Sequence, residues 1–285
     1  MSIVITGATG QLGKLVVDSL LDLGVDPGEV VAAGRNRETL AAHYGPKGVR
    51  TVQIDYSDPA SLEAAFENGD RVLLVSGTEL GQRVAQHRNV IDAAQKAGVA
   101  QLAYTSVVKA DTTTLVLAPE HKATEEAVIA SGLTYTLLRN GWYTENYAAA
   151  LEQARQAGKV VASVGNGRIA SASRSDYAAA AAAVLSTDGH DNAVYELSGD
   201  VAWDFEDLAA SFGAALDRPV SYEPVEPGEH LEMLKAAGLD EQTAGFLVAL
   251  DGNIRDGELA AATGDLSRLT GRPTVPLSET FARLS

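Results

Sequence analysis

The chain contains no cysteine, so it has no disulfide framework, thiolate nucleophile or sulfur-ligated metal site. Positive charge is scarce as well. Lys and Arg number 22 against 38 Asp and Glu, a net charge of −16, which argues against nucleic acid or an anionic membrane as the main partner. No apolar run approaches the length of a membrane span. The histidines, His43, His87, His121, His190 and His230, show no metal-ligand spacing, and no serine sits in a Gly-x-Ser-x-Gly elbow. The start, Met1 to Gly7, lacks a basic leader and runs straight into an apolar stretch and a turn. We therefore expect a first strand and a cytoplasmic protein, with no signal peptide.

What is present is the composition of an ordinary globular protein: 285 residues, 46% hydrophobic and 21% charged. That suffices for one large domain carrying a smaller lobe. Short apolar runs rich in Val, Ile, Leu and Thr fall at residues 3–6, 30–33, 51–55, 72–75, 102–105 and 134–138. They alternate with longer amphipathic stretches, the pattern of repeated βαβ units under a sheet covered on both faces. The first helix carries the stripe Leu12, Leu15, Val16, Leu20 and Leu23 and stops at Gly24; residues 63–67, 82–97 and 120–130 supply later ones. After about residue 145 the pattern loosens. An alanine-rich helix follows Asp176, a strand lies near 194–197, Asp204 opens a helix, Gly271 stops another, and the last starts at Ser278. The expected fold is α/β, a Rossmann-type doubly wound parallel sheet over residues 1–190 with a smaller C-terminal α/β lobe over 191–285. The two are partly interleaved after about 145.

Between the first strand and first helix stands Gly7-Ala8-Thr9-Gly10-Gln11-Leu12-Gly13. Gly7 permits the tight turn, Gly10 lets a pyrophosphate approach the backbone, and Gly13 allows close helix–strand packing. The helix N-terminus then offers free amides and the positive end of its dipole. A glycine triplet alone can be a flexible turn; strand, turn, glycines and helix in order mark a dinucleotide site. The second strand ends at Gly34-Arg35-Asn36, with no carboxylate for a ribose 2′-hydroxyl. Arg35, with Arg37 as a second candidate, presents a guanidinium fork matched to a 2′-phosphate, so NADPH is the expected cofactor.

With these residues and several later segments, the chain resembles the atypical short-chain dehydrogenases of the NmrA-like group, and within it the type 2 NAD(P)H:quinone oxidoreductases. The segments are Gly81-Gln82-Arg83 with residues 86–90, Ala103-Tyr104-Thr105-Ser106, residues 135–143 with Glu145-Asn146-Tyr147, and residues 169–177. The resemblance implies that Gly7, Ala8, Thr9, Gly10, Gln11 and Leu12 hold the pyrophosphate and that Arg35 meets the adenosine phosphate. It also implies that Val75, Ser76 and Gly77 pass beside the cofactor, and that Leu138, Arg139, Asn140, Gly141, Trp142 and Tyr143 line the nicotinamide side. Arg174 is a further polar contact, and Tyr104, Trp142 and Tyr143 are candidate contacts to the acceptor. The aromatics serve equally well as core, and Arg139 and Glu145 as a surface pair.

Ordinary short-chain dehydrogenases protonate a carbonyl with a Tyr-x-x-x-Lys pair. The corresponding stretch here is Pro119-Glu120-His121-Lys122-Ala123-Thr124-Glu125, with His121 in the tyrosine place and Glu125 in the lysine place. No catalytic residue is therefore assigned, and His121 and Lys122 are expected to be dispensable. A quinone accepts hydride into a delocalised anion that takes its proton from water, which suits a site without that pair. The expected activity is two-electron reduction of a small quinone by NADPH. A triphenylmethane-dye reductase of the same group and a non-catalytic NADP-sensing regulator remain alternatives, and a homodimer is left open.

Overall fold

A computed structural model describes residues 1–285. Its strands are β1 (Ile3–Ile5), β2 (Val30–Gly34), β3 (Arg50–Gln53), β4 (Arg71–Leu74), β5 (Gln101–Val107), β6 (Tyr135–Asn140), β7 (Lys159–Ala162), β8 (Ala193–Leu197) and β9 (Ser221–Pro224). Seven form one parallel sheet in the order β3-β2-β1-β4-β5-β6-β8, and β7 pairs with β9 in a separate parallel ribbon. The order reverses between β1 and β4, which opens a crevice at the carboxyl ends of these strands.

The helices are α1 (Gln11–Asp22), α2 (Arg37–Tyr44), α3 (Pro59–Glu63), α4 (Arg83–Ala97), α5 (Ala118–Ala130), α6 (Ala148–Ala157), α7 (Arg174–Ser186), α8 (Phe205–Leu216), α9 (Pro227–Ala236), α10 (Glu241–Arg255), α11 (Asp265–Thr270) and α12 (Leu277–Ala282). Strand alternation sorts the sheet's side chains. Ile3, Ile5, Leu73, Ala103 and Leu138 face α1 and α7, whereas Val4, Val72, Leu74, Leu102, Tyr104 and Leu137 face the opposite layer with residues of α3, α4 and α5. Alanines on α7 leave room for Val16, Val17 and Leu20 of α1, so the run 178–183 is a close-packed helix. A third core, centred on Ile169, Trp203, Phe205, Phe212 and Ile254, fills the lobe.

Local signals act as expected at several ends. Asp204 caps α8 in a reciprocal box with Asp207, and Gly24 and Gly271 adopt positive φ after α1 and α11. Elsewhere the structure differs. The helix expected at 63–67 begins earlier, at Pro59, because Asp58 accepts the Ala60 amide and proline suits the first helical position. Neither β7 nor β9 is signalled by the sequence; each is a four-residue strand that exists through the other. The chain also weaves between layers. β8 closes an edge of the main sheet, and buried Asp176 on α7 receives Arg272 at 2.7 Å and the Val275 amide at 3.0 Å from the C-terminal segment.

Candidate active site

The crevice is a cavity of about 720 Å³ between the sheet's carboxyl edge and the lobe. Its floor is the turn from β1 into α1. Gly7 has φ +60°, a left-handed conformation that favours glycine. A Cβ on Gly13 would lie 2.3 Å from the Gly7 carbonyl oxygen and 2.9 Å from the Ala8 Cα, so only glycine lets the helix start this close to the strand. No side chain caps α1. Its first amides therefore face the cavity as free donors at the positive helix end.

The loop after β4 forms one wall, and neighbouring elements clamp it. The Val75 and Ser76 amides donate to the hydroxyls of Thr6 (3.0 Å) and Thr105 (2.9 Å) at the ends of β1 and β5. The Gly77 amide donates to His87 Nε2 at 2.9 Å. That bond leaves the His87 proton on Nδ1, 3.1 Å from Thr124 Oγ1. Burial pushes His87 down to about 3, and nearby Arg83 adds to the shift, so the ring is a neutral spacer. Arg83 donates to the Gly77 carbonyl at 2.8 Å and pairs with Glu120, which also takes the Gly81 amide.

At the far end of β2, Arg35 lines the cavity and pairs with Glu79 at 2.9 Å; both side chains are substantially exposed. Gln86 donates to the other Glu79 oxygen at 2.9 Å. At the opposite end, Asn140, Gly141, Trp142 and Tyr143 leave β6 along the wall. The Arg174 guanidinium lies 4.9 Å from the Tyr143 ring centre, is held by Asn146 at 2.8 Å, and lies 3.8 Å from Glu145. Ser106 Oγ and Asn140 Oδ1, both on cavity-lining residues, are buried with no hydrogen-bond partner in the protein. Buried polar atoms normally find partners. Both are open to a ligand with polar edges.

Most sequence-derived candidates meet at this cavity: Gly7, Thr9, Gly10, Gln11, Leu12, Arg35, Val75, Ser76, Gly77, Asn140, Gly141, Trp142, Tyr143 and Arg174. Four do not reach its wall, and Arg37 opens α2 away from it. Ala8 is fully buried, its amide bonded to the Ala33 carbonyl and its carbonyl to the Tyr44 hydroxyl. Leu138 points into the core under α1 and α7. Arg139, one residue on, faces the other layer. There it forms a bidentate pair with Glu125 at 3.0 and 2.7 Å, together with Asp111 and Glu196. It is a buried structural tie, and Glu145 is not its partner. Tyr104 is fully buried behind His121.

The sequence reading missed several wall residues. Tyr56 closes the floor through its bond to the Val75 carbonyl at 2.9 Å. Ser106 lies at the carboxyl end of β5, the edge where ligands sit, so the rule that flags residues 75–77 also flags it. Leu115, Val116, Leu117, Phe246 and Leu250 make an apolar outer wall, and His121 sits beside it. No local pattern distinguishes them from core residues.

The model of a family described as NAD(P)H-binding matches residues 7–188. This chain belongs to that family. Within this NAD(P)H-binding family it is 45% identical, over 99% of its length and 98% of the relative's, to quinone oxidoreductase 2 of Escherichia coli K12. The crystal structure of an NADPH-dependent quinone oxidoreductase from Escherichia coli complexed with NADPH superposes with a TM-score of 0.94 at 44% identity, covering 99% of each chain. The Citrobacter sp. triphenylmethane reductase complexed with NADP(H) also reaches 0.94, at 36% identity over 100% of each chain. The NmrA-like resemblance and the doubly wound fold are thereby established for this NAD(P)H-binding protein.

Proposed function

We propose that the protein is an NADPH-dependent quinone oxidoreductase that passes two electrons to its acceptor in one hydride transfer. The observation that carries this reading is the division of one cavity. An amide-lined helix start and a guanidinium lie at one end, and an apolar wall of Leu115, Leu117, Phe246 and Leu250 lies at the other. NADPH, when bound, supplies the hydride. Gly7 and residues 9–13 hold its pyrophosphate, Arg35 its 2′-phosphate, and Ser106 and Asn140 take the polar edge of the nicotinamide. Trp142 and Tyr143 border the reacting end, and the apolar wall excludes water around the acceptor ring. The absence of the tyrosine–lysine pair disfavours simple ketones, which need a proton as hydride arrives; a quinone does not.

The test is steady-state oxidation of NADPH and NADH with a benzoquinone, a naphthoquinone, a triphenylmethane dye and a simple ketone. We expect quinone turnover with one NADPH consumed per hydroquinone, weaker turnover with NADH, and none with the ketone. Dye reduction outpacing every quinone would move the protein to the dye-reducing branch represented by the Citrobacter enzyme. Tight NADPH binding with no acceptor reduced would leave a sensor and end the enzymatic reading.

A further inference from the structure

Beside the apolar wall one side chain carries chemistry that the proposed reaction has not yet used. His121 stands in the first turn of α5, is 7% exposed, and lines the cavity. Its Nδ1 lies 2.8 Å from the hydroxyl of Tyr104. Its Nε2 makes no hydrogen bond within the protein. Burial, with Arg83 nearby, pushes the imidazole down to about 3, so it is uncharged at neutral pH. Burial likewise raises the Tyr104 phenol, which keeps its proton. A neutral imidazole holds one proton. When the Tyr104 hydroxyl donates to Nδ1, that proton stands on Nε2.

We propose that His121 is a catalytic residue: its Nε2–H donates a hydrogen bond to the quinone oxygen on which negative charge collects, and Tyr104 is the positioning residue that sets the donating tautomer. The proposal rests on the quinone-reductase reading above. In the balanced step the quinone accepts a hydride, both electrons enter the ring system, and one oxygen becomes an anion while NADPH becomes NADP⁺. That oxygen then takes one proton from water. His121 keeps its proton throughout. Hydride addition places negative charge on the quinone oxygens, and at the oxygen beside the apolar wall of Leu115, Leu117, Phe246 and Leu250 one fixed N–H aimed at the developing charge lowers the barrier. The expectation that position 121 is dispensable concerned a general acid that gives up its proton; a neutral hydrogen-bond donor needs no such transfer.

The surrounding charges support a donor that does not titrate. Arg83 of α4 is paired with Glu120 of α5, and Glu125 of α5 is locked on Arg139 of β6. His87, across from His121, is itself neutral and bonded on both nitrogens. No unpaired carboxylate faces the ring to charge it.

Two measurements on the full-length protein test this. The first is kcat and KM with NADPH and a benzoquinone for wild type, His121→Phe, His121→Gln and Tyr104→Phe. His121→Phe should lower kcat on the order of 10²-fold, the usual loss for one oxyanion donor, with NADPH affinity within about threefold. His121→Gln keeps an N–H donor and should recover about tenfold of that loss. Tyr104→Phe should fall between wild type and His121→Phe. The second is long-range ¹H–¹⁵N correlation of the histidine rings in ligand-free protein, with His121 assigned by its absence in His121→Phe. It should report a neutral Nε2–H tautomer from pH 5 to 8, mixed tautomers in Tyr104→Phe, and a shift at Nε2 on adding an unreactive phenolate. A kcat for His121→Phe within threefold of an active wild type, or an Nδ1–H tautomer, overturns the role. A wild type that reduces no quinone overturns the reading on which it rests.

Discussion

Arg35 and Glu79 meet across the mouth of the cavity, the guanidinium at the end of β2 and the carboxylate in the loop after β4. The carboxylate occupies the guanidinium that the proposed reading assigns to a 2′-phosphate, so on that reading NADPH binding exchanges one anion for another. Arg35→Ala should weaken NADPH binding by about 1.5–3 kcal/mol, the worth of a charge-assisted contact, and change NADH binding little. Glu79→Gln should act in the opposite sense. Removing an exposed partner frees the guanidinium at a gain of no more than about 1 kcal/mol, so NADPH should bind a few-fold tighter, NADH unchanged, with the difference fading at high salt. Calorimetric titration of both variants with both cofactors measures this. Equal losses for the two dinucleotides in Arg35→Ala would remove its role in reading the phosphate.

Within the turn from β1 into α1, two glycines serve different ends, and substitution separates them. A Cβ at Gly13 would strike the backbone of Gly7 and Ala8. Gly13→Ala must push α1 off the sheet, and we expect a stability loss of about 1–3 kcal/mol, typical of overpacking, together with weakened cofactor binding. Gly10 has φ −80° and ψ 172°, a conformation open to any residue, and its Cβ would meet only the Gly7 carbonyl oxygen, at 3.1 Å. Gly10→Val should therefore keep nearly the wild-type melting temperature yet lose NADPH binding, because the branched side chain fills the space the pyrophosphate must enter. Thermal denaturation and calorimetry on the two variants check the pair. A destabilised Gly10→Val, or one that still binds NADPH at micromolar concentration, would contradict it.

Across the whole molecule, His87 and His121 make folding sensitive to acid. Both are held near 3 by burial, against 6.5 for an exposed imidazole. Above pH 6.5 neither state carries these protons. Below it the unfolded chain binds them and the folded chain refuses, so stability falls with pH by about 1.4 kcal/mol per unit for each histidine, down to about pH 3. Urea denaturation at steps from pH 7 to pH 4 should show this slope. His87→Gln should start lower at pH 7, having lost the bond to Gly77, and decline less steeply by one proton. Cofactor works in the other direction. NADPH at about a hundred times its dissociation constant should stabilise the fold by about 2.7 kcal/mol, and Gly10→Val should abolish that gain.

Much of this architecture is written in short stretches of chain. The glycine spacing at 7–13, the apolar strands on either side, the arginine after β2 and the caps at Asp204 and Gly24 act through neighbouring backbone. Each acts within a turn or two, so sequence alone determined the first half of the sheet and the glycine turn between β1 and α1, and pointed to NADPH. Other features depend on which elements meet. Leu138 and Arg139 share a segment that resembles a cofactor wall, yet strand pairing sends one into the core and the other onto Glu125, 14 residues earlier on α5. β7 and β9 form only by pairing across 62 residues, Lys159 against Ser221. Phe246 and Leu250 reach the cavity because α10 packs over it, and His121 is held at its Nδ1 by a tyrosine on another element. An apolar side chain or an imidazole has the same local signature in a core as in a cavity wall. Only packing, which fixes what each one faces, separates them.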